Sequence, residues 1–176
     1  MATVWKLDTT HSEVVFKVKH LVITTVTGHF RSFDGTVETE NDTDFSSAKV
    51  DFTIDVNSID TNQADRDGHL KSADFFDAEN HPNITFVSTS IEKKSDDEFV
   101  LNGDLTIRGT TLPVKFDVEF GGTVTDPYGN FKAGFEVSGK ISRKAFGLTW
   151  SAVTEAGTVV VSDDVKIQAS VQFVKQ

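Results

Sequence analysis

The sequence predicts an all-β fold, namely an extended eight-stranded antiparallel up-and-down β-barrel of lipocalin-like form, with one short helix near residues 62–72. Two observations predict it. Apolar and polar residues alternate along at least seven segments, and turn-forming residues separate these segments. An open sheet of such strands would expose both its apolar face and its edges. The strands are also long, near ten residues each where about 5–6 is usual, which favours closure into a barrel over a sandwich.

The alternation is clearest in segment 50–56, where apolar residues occupy the even positions and polar residues the odd ones. This pattern is typical of a strand with one face toward solvent. The same period returns in segments 13–19, 99–108, 114–120, 131–141 and 165–173. Turns are predicted at 42–44, 121–122, 126–130 and 162–164, and a bulge is predicted at 102–103.

Residues 61–71 break the alternation. Thr61 or Asn62 can serve as N-cap, acidic residues follow in the first turn, and Lys71 lies at the end, so the segment predicts a short helix. A loop over 72–82 and a second helical turn over 142–146 complete the prediction. Because no repeat, low-complexity tract or linker is visible, residues 1–176 are expected to form a single domain.

The composition excludes several classes of protein. The 176 residues include 27 acidic and 17 basic side chains, a formal charge of −10, and no cysteine. A disulfide scaffold, a thiol nucleophile, a zinc finger and an iron–sulfur cluster are therefore excluded. The longest basic run is the pair Lys93-Lys94, which argues against binding nucleic acid and against docking on anionic lipid.

The sequence shows neither the apolar run of a signal peptide nor that of a membrane span. We therefore expect a cytoplasmic protein without stable membrane insertion. A mature form of a periplasmic or secreted protein would have the same appearance.

No catalytic or metal-binding residue is predicted. The histidines fall in different predicted elements without the spacing of a metal site, and they are His11, His20, His29, His69 and His81. His11 and Ser12 are adjacent, so a strand would point them to opposite faces, and no hydrolase or phosphate-binding motif is present. We expect a protein that is not an enzyme. The alternative is a barrel isomerase or hydrolase for a hydrophobic substrate, which His20 or His69 facing the pore beside an acid would favour.

Phenylalanine accounts for 15 of the aromatic residues, beside two Trp and one Tyr. Most of these rings fall on the apolar face of the predicted strands. A barrel of eight strands is wide enough either to be filled by such side chains or to hold one slender ligand, and the residues leave both open. Small inward residues, Gly103, Ala133, Gly139 and Ala169, favour a ligand space over a solid core. A solid core would instead indicate a structural or interaction module.

An ordered set of motifs resembles the YceI-like family of polyisoprenoid-binding proteins across essentially the whole chain. The motifs are His11-Ser12, Gly28-His29-Phe30, Phe33-Asp34-Gly35, Arg66-Asp67-Gly68-His69-Leu70, Asp74-Phe75-Phe76-Asp77, Gly103 to Gly109, and Ser142-Arg143 with Phe146-Gly147. The resemblance implies a barrel that holds a long isoprenoid or similar amphiphilic lipid, such as a polyprenyl phosphate or a quinone tail, for transport, storage or sequestration.

The expected partner is thus an isoprenoid or fatty-chain lipid, with no other cofactor, no nucleic acid, and a homodimer left open. The residues predicted to line the lipid site are Val14, Phe16, Val18, Phe52, Ile54, Phe75, Phe76, Phe86, Leu105, Phe116, Phe135, Phe146 and Phe173. Strands of about ten residues, tilted near 40°, predict a pore about 25 Å long.

Overall fold

The computed structural model describes residues 2–21, 23–150 and 161–176. Its strands are β1 (Thr3–Leu7), β2 (Glu13–His20), β3 (Thr24–Phe30), β4 (Phe33–Thr39), β5 (Lys49–Asp55), β6 (Ile59–Asp60), β7 (Asn83–Lys93), β8 (Glu98–Ile107), β9 (Thr110–Thr125), β10 (Phe131–Ser142) and β11 (Val161–Lys175). The α-helix is α1 (Ala64–Lys71), and short 3-10 turns span Thr9–His11, Val56–Ser58 and Lys144–Phe146. No helix in the described ranges is long and apolar enough to cross a membrane.

The sheet closes on itself because β1 pairs with both β4 and β11. The resulting ring contains eight strands in the order β1-β4-β5-β7-β8-β9-β10-β11, and every recorded pairing is antiparallel. Strands β2, β3 and β6 add to the other part of β11 and widen the wall there. The predicted eight-stranded antiparallel barrel with one short helix is confirmed.

The barrel has two unlike ends. One carries the connections 40–48, 94–97 and 126–130 and the paired strands β1 and β11, and we call it the aromatic end for the ring cluster described below. The other carries the two-residue turn 108–109 and the segment 61–82, which contains α1 and the loop before β7. We call segment 61–82 the cap segment and this end the capped end.

Two predicted turns are wrong. Gly121 and Gly122 lie inside β9, where Phe120 faces Phe135 and Gly122 faces Gly134, so Gly121 is the extra residue of a bulge. The positive φ of Gly122 allows the chain to bend there without ending the strand. The segment 162–164 belongs to β11 and lies within a register shift against β2, between Val161 and Val165.

The bulge predicted at 102–103 occurs on the neighbouring strand. Ser88 faces Gly103 and Ser90 faces Asn102, so Thr89 of β7 is the unpaired residue. The prediction placed the irregularity at the correct level of the sheet but on the wrong strand.

Helix α1 begins at Ala64, two residues later than the predicted start. The N-cap is Gln63, whose side-chain oxygen accepts a hydrogen bond from the Arg66 amide at 2.9 Å. Thr61 is occupied otherwise, because its amide donates to the Asp67 carboxylate at 2.8 Å and its hydroxyl accepts from Arg66 Nε at 2.8 Å. Because Thr61 makes these contacts, Gln63 caps the helix in its place.

Candidate functional site

The interior of the barrel contains an elongated cavity of about 230 Å³. Its walls reach from Phe45 at the aromatic end to Phe76 in the cap segment. Along β11 the lining residues run from Val161 to Phe173, a distance of about 30 Å at a rise near 3.3 Å and a tilt near 40°. A small volume spread over such a length suits an extended chain and does not suit a compact ring system.

The lining is apolar with one exception. Among residues 2–21, 23–150 and 161–176, every side chain along it is aliphatic or aromatic except that of Arg143. A ligand inside can therefore gain burial of hydrocarbon but finds almost no side-chain hydrogen-bond partner.

Twelve of the thirteen residues predicted for the lipid site lie on this lining. They are Val14, Phe16, Val18, Phe52, Ile54, Phe75, Phe76, Phe86, Leu105, Phe116, Phe135 and Phe173. Phe146 does not, because it lies in the 3-10 turn after β10 and is buried away from the cavity with 2% of its surface exposed. The structure brings the twelve together, and their role in binding stays a prediction.

Phenylalanine rings on the inner wall occupy the space above inward-facing glycines. The ring of Phe16 lies so close to Gly28, its partner on β3, that a Cβ on Gly28 would lie 2.1 Å from the ring. A Cβ on Gly35 of β4 would likewise lie 2.7 Å from the ring of Phe52. These glycines let the rings approach the backbone of the wall, which leaves more of the lumen open.

The same arrangement corrects one prediction. Gly103 and Gly139 were expected to leave room for a ligand, but the rings of Phe86 and Phe116 occupy the space above them. Ala133 is fully buried and lies outside the cavity lining, whereas Ala169 does line the cavity. The space for a ligand thus comes mainly from the orientation of the rings, not from the small residues themselves.

The aromatic end is sealed by a cluster of rings around Phe45, which lies between β4 and β5. The centroid of Phe45 is 5.2 Å from that of Trp5 and 5.1 Å from those of Phe120 and Phe135. Phe131 packs on the other side of Trp5 at 5.8 Å. Trp5 Nε1 donates to Thr39 Oγ1 at 3.0 Å, so the buried indole leaves no polar group unpaired.

The capped end is closed by the cap segment, which places Leu70, Phe75 and Phe76 on the cavity lining. Phe76 packs on Phe30 of β3 with 6.1 Å between ring centroids, and Arg108 adds polar contacts. Arg108 Nη1, from the turn between β8 and β9, donates to the Phe75 carbonyl at 3.2 Å and to the Gly147 carbonyl at 3.0 Å. Arg108 and Gly109 both have positive φ, as a two-residue type I′ turn requires.

Arg143 is the one charged side chain that the described residues place at the cavity, and it is buried with 4% of its surface exposed. Its guanidinium donates to four backbone carbonyls at 2.7–3.1 Å, those of Leu148, Trp150, Val161 and Ser162. Burial lowers the pKa of Arg143, while the charge of Asp163 opposes that change. The side chain thus joins the segment after β10 to the start of β11 at the capped end.

The lining also contains residues that sequence reasoning did not assign to the site, and three of them, Phe30, Phe45 and Arg143, show why. Phe30 was visible in the Gly28-His29-Phe30 motif but was not assigned to the site, and Phe45 follows a predicted turn, where no alternation points to the interior. Arg143 was quoted only as part of a motif. Its position could not be inferred, because its partners are backbone carbonyls distant in the sequence.

The histidines do not form a catalytic site among the described residues. His69 Nε2 lies 2.9 Å from Asp74 Oδ2, but this pair is on the outer side of the cap segment and neither residue lines the cavity. Arg66 bonds Thr61 instead of His69. His20 also lies off the lining, and no metal-binding group of side chains occurs in the part of the chain that the structure describes. The observation that would favour the enzyme alternative is therefore missing from these residues.

The model of the YceI-like domain matches residues 5–173. The chain belongs to the YceI-like family. A UPF0312 protein of Pectobacterium atrosepticum is 41% identical over 166 residues, which cover 94% of this chain and 82% of the relative. The family therefore extends over the whole barrel and the cap segment.

Solved structures agree with this assignment. The YceI protein of Campylobacter jejuni is 32% identical with a TM-score of 0.75, covering 90% of each chain. A polyisoprenoid binding domain from Saccharophagus degradans, implicated in plant cell wall breakdown, covers 98% of each chain with a TM-score of 0.68 and 15% identity. At that identity the second comparison shows the YceI-like fold alone.

Proposed function

We propose that this YceI-like protein binds a long isoprenoid or similar single-chain lipid inside the barrel and carries or stores it. The observation that carries the proposal is the long, narrow cavity with apolar walls and one charged side chain, Arg143. The described part of this lining offers few groups that could recognise a polar ligand, but it can bury a hydrocarbon chain along its full length. The Saccharophagus degradans domain of the same fold, described as polyisoprenoid binding, supports this ligand class.

The dimensions favour a slender tail. An extended isoprene unit spans about 5 Å by ordinary bond lengths, so a cavity about 30 Å long holds about six units without folding. Each buried carbon contributes about 0.8 kcal/mol before the entropy of ordering the chain is subtracted. A longer tail must bend or protrude, and selectivity between tails of similar width is expected to be low.

The two ends imply a direction of insertion. The aromatic end is filled by packed rings around Phe45, whereas the capped end is closed by a segment that is hydrogen bonded through Arg108. We infer that the tail enters at the capped end and that its terminus points to Phe45. The polar group of a quinone or polyprenyl phosphate then stays near the cap segment.

Native mass spectrometry with solvent extraction tests the proposal. Gently purified protein should carry a co-purifying lipid, and stripped protein should take up a long-chain ubiquinone in one-to-one ratio. A clean mass of the bare chain, with no uptake of added ubiquinone or polyprenol, would overturn it.

A matched pair of variants places the ligand inside the barrel. Ala169→Phe fills the lumen at a small lining residue, and Gln168→Phe adds the same ring to the outer face of the same strand. We expect the first to reduce uptake of ubiquinone at least tenfold and the second to leave it unchanged. Circular dichroism melts establish that both variants are folded. Equal uptake by the two variants would place the ligand elsewhere.

A further inference from the structure

The outer wall carries a row of lysines that the strand register assembles from distant parts of the chain. Lys17 of β2 faces Lys166 of β11, and Lys166 in turn faces Lys140 of β10. We call these three residues the lysine row. Lys140 and Lys166 are exposed and Lys17 is half-buried, and the side chains point outward because their neighbours Phe16, Ile167 and Ile141 line the cavity.

Like charges directly opposite each other on neighbouring strands are destabilising. Lys140 Nζ lies 3.8 Å from Asp164 Oδ2, and both side chains of that pair are exposed. Asp163 nearby accepts hydrogen bonds from Ser142 and the Lys144 amide. A basic row that costs stability, on a chain of net charge −10, indicates a surface retained for a partner.

A row of acids crosses the same wall closer to the aromatic end. Glu136 faces Glu119, and Glu119 faces Glu98, while Glu13 joins through Ser170. Glu13 and Lys17 are four residues apart on β2, a distance of about 13 Å. The wall is therefore positive near the capped end and negative farther away, so an anionic surface would attract the first part and repel the second.

An exposed apolar side chain lies beyond the lysine row, toward the capped end. Ile23, in the connection between β2 and β3, has 79% of its surface exposed and is four residues before Thr27, the partner of Lys17, a distance of about 13 Å along the strand. Lysines and an exposed aliphatic tip on the same side of a protein are the composition of a surface that rests on a bilayer, where the charges meet anionic headgroups and the apolar tip enters the boundary region.

We propose that the lysine row and Ile23 dock this protein on the surface of an anionic lipid bilayer. The proposal rests on the proposed lipid-carrying function, since docking there brings the capped end, where the tail enters, to the membrane that holds the lipid. The net charge and the absence of long basic runs predict the opposite. The lysine row exists only in the folded barrel, so neither the net charge nor the basic runs along the chain show it.

Vesicle flotation tests the docking without any isoprenoid present. Wild-type protein should bind vesicles of phosphatidylcholine with 30% phosphatidylglycerol, should not bind pure phosphatidylcholine vesicles, and should be released between 50 and 500 mM NaCl, conditions chosen to span about 14 to 4 Å of screening length. The variant Lys17→Gln/Lys140→Gln/Lys166→Gln should bind on the order of 100-fold more weakly, from a factor of about five for each lysine.

The control variant removes the same charge elsewhere. Lys6→Gln/Lys49→Gln/Lys93→Gln changes exposed lysines on β1, β5 and β7, and should retain the binding of the wild type. Ile23→Ser alone should weaken binding several-fold without changing its dependence on salt.

Uptake of ubiquinone from ethanol solution separates this proposal from the proposed function, because docking is not required there. The lysine-row variant should load normally from ethanol and slowly from anionic vesicles. Equal vesicle binding by the two triple variants would overturn the docking proposal, as would binding of a single-stranded oligonucleotide without any binding to vesicles. Failure of the wild type to load from ethanol would overturn the carrier function and leave the flotation result standing.

Discussion

The two ends of the barrel are closed by different kinds of interaction. At the aromatic end the rings of Trp5, Phe120 and Phe135 surround Phe45, and the closure consists of buried hydrocarbon. At the capped end Phe76 packs on Phe30, and the closure also contains hydrogen bonds from Arg108 to the carbonyls of Phe75 and Gly147. Close packing of rings has to be disrupted as a whole, whereas a hydrogen bond can be exchanged for one to water. The difference indicates which end admits a ligand.

Removing Phe45, the central ring of the aromatic end, should have the largest effect on stability. A small effect would contradict the contrast between the two ends. Phe45 is 3% exposed, so Phe45→Ala leaves a cavity and should lower the free energy of unfolding by about 3–5 kcal/mol. Urea denaturation measures it. Phe76→Ala, at the half-buried ring of the cap segment, should cost clearly less. A greater loss for Phe76→Ala would reverse the roles of the two ends.

A substitution in the wall between the two ends should have the next largest effect on stability. Gly28→Ala forces a methyl group into the Phe16 ring and should destabilise the barrel by about 1–3 kcal/mol. Gly68→Ala in α1 meets no atom within 4 Å and should stabilise the protein by about 0.5–1 kcal/mol, because alanine favours the helix. Thermal melts of the two variants give the comparison. Shifts in the same direction would mean that the ring of Phe16 moves aside freely.

The polar closure of the capped end can be tested at Arg108. Arg108→Asn removes both hydrogen bonds to Phe75 and Gly147 but keeps a residue that tolerates positive φ. Because the side chain is half-buried, we expect about 1 kcal/mol of local destabilisation. Hydrogen exchange of the amides of residues 75–81 should become about fivefold faster, while residues of the aromatic end stay unchanged. Uniform acceleration over both ends would show that the cap segment does not open separately.

The smallest effect concerns the ion pair of Asp8 with Lys132 near the aromatic end. Burial favours a higher pKa of Asp8, but hydrogen bonds from Lys132, Thr10 and His11 outweigh it and hold the pKa well below its usual range. A carboxylate with a lowered pKa stabilises the fold above its unfolded pKa, near 3.9, and this contribution disappears as the pH falls through the folded pKa.

Asp8→Asn should therefore melt slightly below the wild type by a constant amount above about pH 5. Below about pH 4 the two curves should converge. Melting temperatures of both proteins, measured about every pH unit from about pH 2 to about pH 7, test this. A difference that grows toward acid would mean that Asp8 is held in its protonated form.

The strands could be predicted because the alternation of side chains depends only on neighbouring residues. The spacing of Val50, Phe52 and Ile54 predicts an inward face, and no partner strand has to be known for this. The same alternation predicts most of the cavity-lining residues named from the sequence, and it predicts most of the strands.

What could not be predicted depends on register. That Phe16 lies over Gly28, or that Lys17 faces Lys166, requires knowing which strands pair and at which residue. Gly121-Gly122 has the composition of a turn, and only its pairing with β10 shows that it is a bulge. The position of Arg143 at the cavity could not be predicted, because its partners are main-chain carbonyls, which every residue possesses.

The pairing of β1 with β11 has a consequence for how the protein is made. Trp5 meets Lys175 and Leu7 meets Phe173, so the last contacts of the ring join residues from opposite ends of the polypeptide. During synthesis the apolar faces of the first strands therefore stay uncovered until β11 has left the ribosome. Such distant pairings slow folding and expose unpaired edges to aggregation. We expect a chain truncated before β11 to depend on chaperones, whatever lipid is present.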